Sequence, residues 1–315
     1  MSLHTFSIVA SFISLSLTLH PSASLAKGQL SGASAPALAS EAFDTPDFAD
    51  FETKALELAQ VYGAENVLVA YDIDNTLLAT NQYLGGDQWY NWQSAEMKKP
   101  QPNDAITQDP EAFAQICAKL LTLSLMHPPE ASIPATVRRL QEAGITSVAL
   151  TARRYDLRDI TSLALQDNGI DFTKQALGSI QGYPDTFLPY ELAKPEAYGL
   201  SKDLVKSLNL EAPRPVSYSR GMIMAGGIQK GIVLRSLMHK TKRSFKAILF
   251  IDDAVHNTKD VQAAFTDTPI TVMTFRYGRE DQKVKEFQAS DKSEVKRSWA
   301  EFKVLMDRLF PKQAT

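Results

Sequence analysis

The chain has 315 residues, 44% hydrophobic and 22% charged, with a formal net charge of -3. That is the range of a soluble globular protein, long enough for one large α/β domain with an insertion or for two domains. The charge balance argues against a polyanion-binding protein, and no Lys/Arg cluster forms a nucleic-acid patch.

The first 26 residues, MSLHTFSIVASFISLSLTLHPSASLA, contain no Asp, Glu, Lys or Arg. An apolar run from Phe6 to Leu19 leads through Pro21 to Ser24-Leu25-Ala26, whose small residues fit a signal-peptidase site. The run is short for a membrane span, which needs about 20 apolar residues. The expectation is a signal peptide over residues 1–26, cleaved near Ala26. The mature protein would be periplasmic or secreted, without a stable membrane anchor. Residues 27–45, rich in Gly, Ser, Ala and Pro, are expected to form a disordered tether, with the globular domain over 46–315.

In DFADFETKALELAQVYG, Phe48, Phe51, Ala55, Leu58 and Tyr62 recur at helical spacing, and Gly63 supplies a stop. Val67–Tyr71 reads as a short buried strand. Ile133–Ala143 reads as a helix capped by Ser132, with Pro134 in its first turn and Gly144 at its end. A strand over Thr146–Leu150 runs into Thr151-Ala152-Arg153. A helix from Asp156 to Asn168 ends at Gly169. A further helix covers Gly231–His239. Strands follow at Lys246–Ile251 and Ile270–Phe275. Ser293–Leu309 closes the pattern as an amphipathic helix with Val295, Trp299, Phe302, Leu305, Met306 and Leu309 on one face.

Short apolar strands alternating with helices predict an α/β fold: a Rossmann-like, mostly parallel sheet with helices on both faces. Two segments, 80–131 and 176–229, interrupt the alternation and are expected to form a partly helical cap over the strand ends. The first holds Trp89 and Trp92, beside Tyr83 and Tyr90; such aromatics read first as packing. The single cysteine, Cys117, permits no intramolecular disulfide and reads as a buried helix residue rather than a nucleophile.

The polar strand ends carry the functional reading, because ligands of such sheets bind beyond the carboxyl ends of the strands. Val67-Leu68-Val69-Ala70-Tyr71 stops at Asp72, with Asp74 two residues on. The second strand stops at Thr151. Lys230 opens an apolar helix, and the next strand stops at Asp252-Asp253. Taken alone, Asp72 and Asp74 also fit a turn after a strand. Gathered at one end of a sheet, however, these carboxylates would repel unless a cation joined them. A hard divalent ion with oxygen ligands, above all Mg²⁺, would do so. Lys230 adds a fixed positive charge and Thr151 a hydroxyl, which together describe a cradle for a phosphoryl group.

These motifs resemble those of the haloacid dehalogenase (HAD) superfamily. Asp72-Ile73-Asp74-Asn75-Thr76-Leu77 resembles its first motif, Leu150-Thr151-Ala152-Arg153 its second and Lys230-Gly231 its third. Phe250-Ile251-Asp252-Asp253, with Asn257 nearby, resembles its acidic fourth. More narrowly, LGGDQWYNWQ and SRGMIMAGGIQKG are similar to stretches of a bacterial, secreted HAD-like family of unknown function.

The resemblance implies a Mg²⁺-dependent phosphatase acting through an aspartyl-phosphate, with Asp72 as nucleophile and Asp74 as general acid/base. Thr151 would hold a phosphoryl oxygen, and Lys230 would steady the charge on Asp72. Mg²⁺ would bind Asp72, the Asp74 backbone carbonyl and Asp252, with Asp253 as a further or outer ligand. Lys194 competes for the lysine role, but it precedes a proline inside a cap segment. Arg153 and Arg154 are expected to solvate a helix start, and His256 is given no role.

The expected substrate is a small phosphomonoester under a cap; an open site would admit phosphoproteins. The alternatives are a secreted, non-catalytic HAD-fold binding protein and a phosphotransferase. A phosphate-receiver domain places its phosphorylated Asp on a later strand, ahead of Thr and Lys, and the chain order here counts against it.

Overall fold

A computed structural model describes residues 38–311. The expected signal peptide and the first part of the expected tether lie outside the described residues.

In chain order, β1 (Glu41–Thr45) leads to α1 (Phe48–Tyr62) and β2 (Val67–Tyr71). An excursion follows: β3 (Ala79–Thr80), α2 (Asp87–Met97), α3 (Pro110–Leu123) and β4 (Met126–His127). The chain returns through α4 (Ile133–Glu142), β5 (Thr146–Thr151) and α5 (Arg158–Asp167). Next come β6 (Tyr183–Phe187), α6 (Lys202–Ser207), β7 (Val216–Ser219) and β8 (Met222–Met224). The last part holds α7 (Lys230–Thr241), β9 (Ala247–Asp252), α8 (Val255–Ala263) and β10 (Thr271–Tyr277), then α9 (Asp281–Ala289) and α10 (Ser293–Leu309).

Eight strands form one sheet in the order β1-β10-β9-β2-β5-β8-β7-β6. It is parallel from β1 to β8, and β7 and β6 add antiparallel strands at one edge. Strand periodicity divides the core in two. Val67, Val69 and Tyr71 point into a cluster with Phe51, Ala55, Val137 and Leu140 of α1 and α4. Leu68 and Ala70 point the other way, towards Ile232 and Val233 of α7 and Val261 of α8. All five residues of β2 are buried, as a strand covered on both faces requires. The fold is therefore the expected α/β arrangement with a mostly parallel sheet.

Three expectations need correction. The last residues of the expected tether, Glu41–Thr45, form β1, which pairs in parallel with β10. Phe43 stacks on Phe275 with ring centroids 4.6 Å apart, and this apolar anchor makes a strand of the segment. Residues 176–229 are not a cap. Their strands β6, β7 and β8 continue the central sheet, because Met222–Met224 pairs directly beside β5. Ser132 sits in helical backbone at the start of α4 and makes no side-chain cap, although Gly144 takes the expected left-handed conformation (φ 87°).

The excursion at 80–131 is partly helical, as expected. Its entry and exit, β3 and β4, pair antiparallel. Its helices pack Trp89, Phe113 and Leu120 against Phe287 of α9 and Val295 of α10. The apolar face of α10 is covered only in part: Val295 is buried, whereas Leu305 and Leu309 are exposed.

Candidate functional site

The sheet changes winding direction at β2. The chain passes from β2 to β5 on one side and later returns to β9 on the other, which opens a crevice at the carboxyl ends of β2 and β9. Tyr71 and Ile251 are register partners, so Asp72 and Asp252 leave adjacent strands side by side. The Asp72 N–H donates to the Ile251 carbonyl at 2.9 Å, extending the ladder to the first acid. Carboxylate oxygens of Asp72, Asp252 and Asp253 lie within 4.8 Å of one another.

Lys230, the first residue of α7, is 2% exposed and inserts its ammonium between two of these acids. Nζ donates to Asp72 Oδ1 and, at 2.6 Å, to Asp252 Oδ2. The other Asp252 oxygen accepts from the Ala254 N–H and from Asn257 Nδ2, each at 2.9 Å. Thr76 Oγ1 lies 3.4 Å from Asp72 Oδ2 and accepts from the Asp253 N–H at 3.1 Å. These bonds fix the orientation of the acids before any ligand arrives.

Three carboxylates against one ammonium leave two negative charges uncompensated. Burial is the largest cause pushing Asp72 up, to about 8, with Asp252 and Asp74 adding repulsion and Lys230 opposing. Burial, then the charges of Asp72, Asp87 and Asp252, push Asp253 well above the carboxylate range. Burial pulls Lys230 down, but Asp252 and Asp72 outweigh it and hold the ammonium more firmly protonated than usual. Full ionisation of these clustered hard oxygen donors would leave two surplus negative charges, which a divalent cation such as Mg²⁺ would neutralise. The residues fit such an ion through Asp72, Asp252 and Asp253.

Asp74 stands apart from that cluster. Arg153 Nε donates to Asp74 Oδ2 at 2.9 Å and Nη2 to Oδ1 at 2.7 Å, a bidentate pair whose arginine side chain is 8% exposed. The expectation that Arg153 solvates a helix start is thus overturned. It lies two residues beyond Thr151, where the chain leaves β5, and reaches across to the loop after β2. Arg154, by contrast, pairs with Glu111 and Asp156 near the surface. Thr151 ends β5 at the same edge of the sheet, buried, and its hydroxyl accepts from the Arg153 N–H at 3.2 Å. Lys194 is exposed, and so is His256.

The loop between Asp72 and β3 links the cluster to the excursion. Asn75 adopts left-handed backbone (φ 59°), a conformation asparagine tolerates better than most residues. Its N–H then turns back to the Leu78 carbonyl. Asn75 Nδ2 donates to Asp253 Oδ2 at 3.2 Å and to Asp87 Oδ2 at 3.3 Å. Asp87 opens α2, so this contact brings the excursion to the carboxyl end of β2. Burial, then the charges of Asp74 and Asp252, push Asp87 up to about 7. Sequence reading gave Asp87 no role; its signal was a carboxylate directly after Gly85-Gly86, at a helix start following the first acidic motif. Of the aromatics, Trp89 is core, Tyr90 is exposed, and Trp92 lines a cleft beside Asp87. Cys117 is half-buried in α3, its thiol pushed up to about 12 by burial, which is the wrong direction for a nucleophile.

The family described as "Protein of unknown function (DUF2608)" matches residues 48–311. No curated protein matches the chain.

Proposed function

The chain belongs to that family of unknown function, and we propose that it is a HAD-like, Mg²⁺-dependent phosphatase that hydrolyses phosphomonoesters. The observation that carries the reading is the Lys230 ammonium set between Asp72 and Asp252, with Asp253 completing a buried acid cluster at the sheet switch point. A structural Lys230–Asp72–Asp252 pairing alone does not need a third carboxylate, Asp253, beside it.

In this reading Asp72 is the nucleophile. Its carboxylate oxygen bonds to phosphorus while the bond from phosphorus to the ester oxygen breaks, giving an aspartyl-phosphate. Asp74, protonated once Arg153 frees one of its oxygens, gives that proton to the departing alcohol, then takes one from the water that attacks the same phosphorus. That attack breaks the acyl-phosphate bond and returns Asp72 with inorganic phosphate. Lys230 holds Asp72 in place and stabilises charge on the phosphoryl oxygens. Thr151 offers a hydroxyl to one of them. Arg153 orients Asp74 and must release one of its oxygens for the proton transfer. Asp72, Asp252 and Asp253 would hold Mg²⁺, with the Asp74 carbonyl as a further donor. The ion supplies neutralisation of the phosphoryl and carboxylate charge.

The test is release of inorganic phosphate from an aryl phosphate with and without Mg²⁺. Release that needs the ion and vanishes in Asp72→Asn supports the reading. A folded, Mg²⁺-binding protein that turns over no phosphomonoester in a broad panel sinks it. Phosphate passing to an added alcohol without net release would favour a transferase instead. Delivery to the periplasm or the outside is a separate proposal resting on residues 1–26, and mass spectrometry of the mature N-terminus tests it.

A further inference from the structure

A cleft of about 380 Å³ lies between α2 and α9, bounded by Asp87, Gln88, Asn91, Trp92, Phe287 and Gln288 among others. Asp87 joins it to the acid cluster, since Asn75 Nδ2 donates both to Asp87 Oδ2 at 3.3 Å and to Asp253 Oδ2 at 3.2 Å.

The hydrogen-bond polarity of the cleft follows from the cluster. Asn75 Nδ2 faces two carboxylates, Asp253 and Asp87, so it must be the amide nitrogen. Asn75 Oδ1 therefore faces Gln88 and accepts from Gln88 Nε2 at 3.4 Å. That leaves Gln88 Oε1 as the free end of the side chain. Gln88 is 5% exposed, and its Oε1 is buried with no hydrogen-bond partner. A buried acceptor left unpaired has lost its water without replacement, so it calls for a donor. Asp87 points the same way: its Oδ2 takes the amides of Asn75 and Asn91, and Oδ1 accepts from no residue among those described. The apolar side of the cleft is Trp92, set edge-on to Phe287 with ring centroids 6.1 Å apart.

We infer that this cleft receives the alcohol portion of the substrate and that this portion is polyhydroxylated, a sugar or polyol phosphate rather than an aryl or peptide phosphate. Two acceptors, Gln88 Oε1 and Asp87 Oδ1, call for hydroxyl donors. The indole of Trp92 offers a wall for the C–H face of a sugar ring. An aryl group would leave both acceptors unpaired. The inference rests on the proposed phosphatase reading and names its substrate class.

The experiment has two arms. Steady-state rates with Mg²⁺ compare glucose 6-phosphate and glycerol 1-phosphate with p-nitrophenyl phosphate and a phosphoserine peptide. Calorimetry then measures binding of glucose 6-phosphate to Asp72→Asn, which cannot complete turnover. The expected result is a kcat/KM for the hydroxylated esters at least about tenfold above the others. Gln88→Met and Trp92→Ala, each checked for native circular dichroism, should cut that preference by about tenfold through KM and weaken calorimetric binding in parallel. Turnover that favours the aryl or peptide ester, or a preference unmoved in both folded variants, overturns the inference and leaves the phosphatase reading standing. Binding of glucose 6-phosphate that depends on Trp92, with no turnover of any ester by the wild-type protein, upholds the cleft and removes the phosphatase reading.

Discussion

The ammonium of Lys230 lies between the carboxylates of Asp72 and Asp252, donating to both, with Nζ 2.6 Å from Asp252 Oδ2. One residue opens a helix, and the two acids end adjacent parallel strands. With Asp72, Asp252 and Asp253 all ionised, the ammonium would compensate one acid and leave the cluster two charges short of neutrality.

That deficit predicts linkage between divalent cations and folding. Mg²⁺ at 100 times its Kd should stabilise the native state by about 2.7 kcal/mol, seen as a rise in Tm that EDTA reverses. Asp252→Asn should abolish the rise. A Tm indifferent to Mg²⁺ over millimolar concentrations would count against a cation site here.

Arg153 and Asp74 form the second charged pair of the site. If Asp74 is the proposed acid/base, Arg153→Ala should lower kcat by about tenfold or more with a smaller change in KM, because it removes the partner that orients Asp74 without touching the cluster. A double-mutant cycle with Asp74→Asn should give a coupling of about 1–3 kcal/mol. Additive losses would mean the pair does not act as a unit.

Gly231 follows Lys230 and lies where α7 crosses α8. A Cβ there would come within 2.6 Å of Ala264 Cβ and 2.7 Å of the Asp260 carbonyl oxygen. Gly231→Ala should therefore push the start of α7 away and displace Lys230 with it. The expected cost is about 1–3 kcal/mol in denaturant unfolding, together with a fall in kcat. A stable variant with full activity would show that α7 has room to spare.

Glu52 of α1 accepts from Arg139 Nε at 2.5 Å, from Arg139 Nη2 at 2.6 Å and from Thr136 at 2.8 Å, tying α1 to α4. The Arg139 hydrogen bonds hold its carboxyl below the usual value, against some desolvation. A lowered folded-state pKa means the unfolded chain binds protons first. The contribution is thus complete above the ordinary glutamate range and is lost as pH falls through the folded value. Because Arg139 is half exposed, the pair is worth about 1 kcal/mol at most. Urea unfolding of wild type and Glu52→Gln should differ at pH 7 and converge on the acid side, below the ordinary glutamate range. A constant difference across that range would assign the effect to packing.

How legible the site was depended on the distance between partners in the chain. Asp72, Asp252 and Thr151 were readable because each ends an apolar run, and parallel strands in register bring such ends to one edge. Lys230 was readable from its place at an apolar helix start. Arg153 was misread because a basic residue after a strand normally faces water, and its partner lies 79 residues away. Asp87 and Gln88 carried no periodic signal. Their roles arise from the loop at Asn75, whose amide orients both.

The sequence by itself determined the α/β alternation, the acids and hydroxyl at the strand ends, and the helical character of 80–131. Hydrophobic period and strand length are local properties, written in consecutive residues. The tertiary structure decided what no local pattern encodes. It made β1 from the expected tether and placed 176–229 in the sheet. It turned Arg153 onto Asp74 and set an unpaired Gln88 acceptor beside the acids. Those outcomes depend on which surfaces remain uncovered after the strands have paired, and on which buried polar groups then lack a partner.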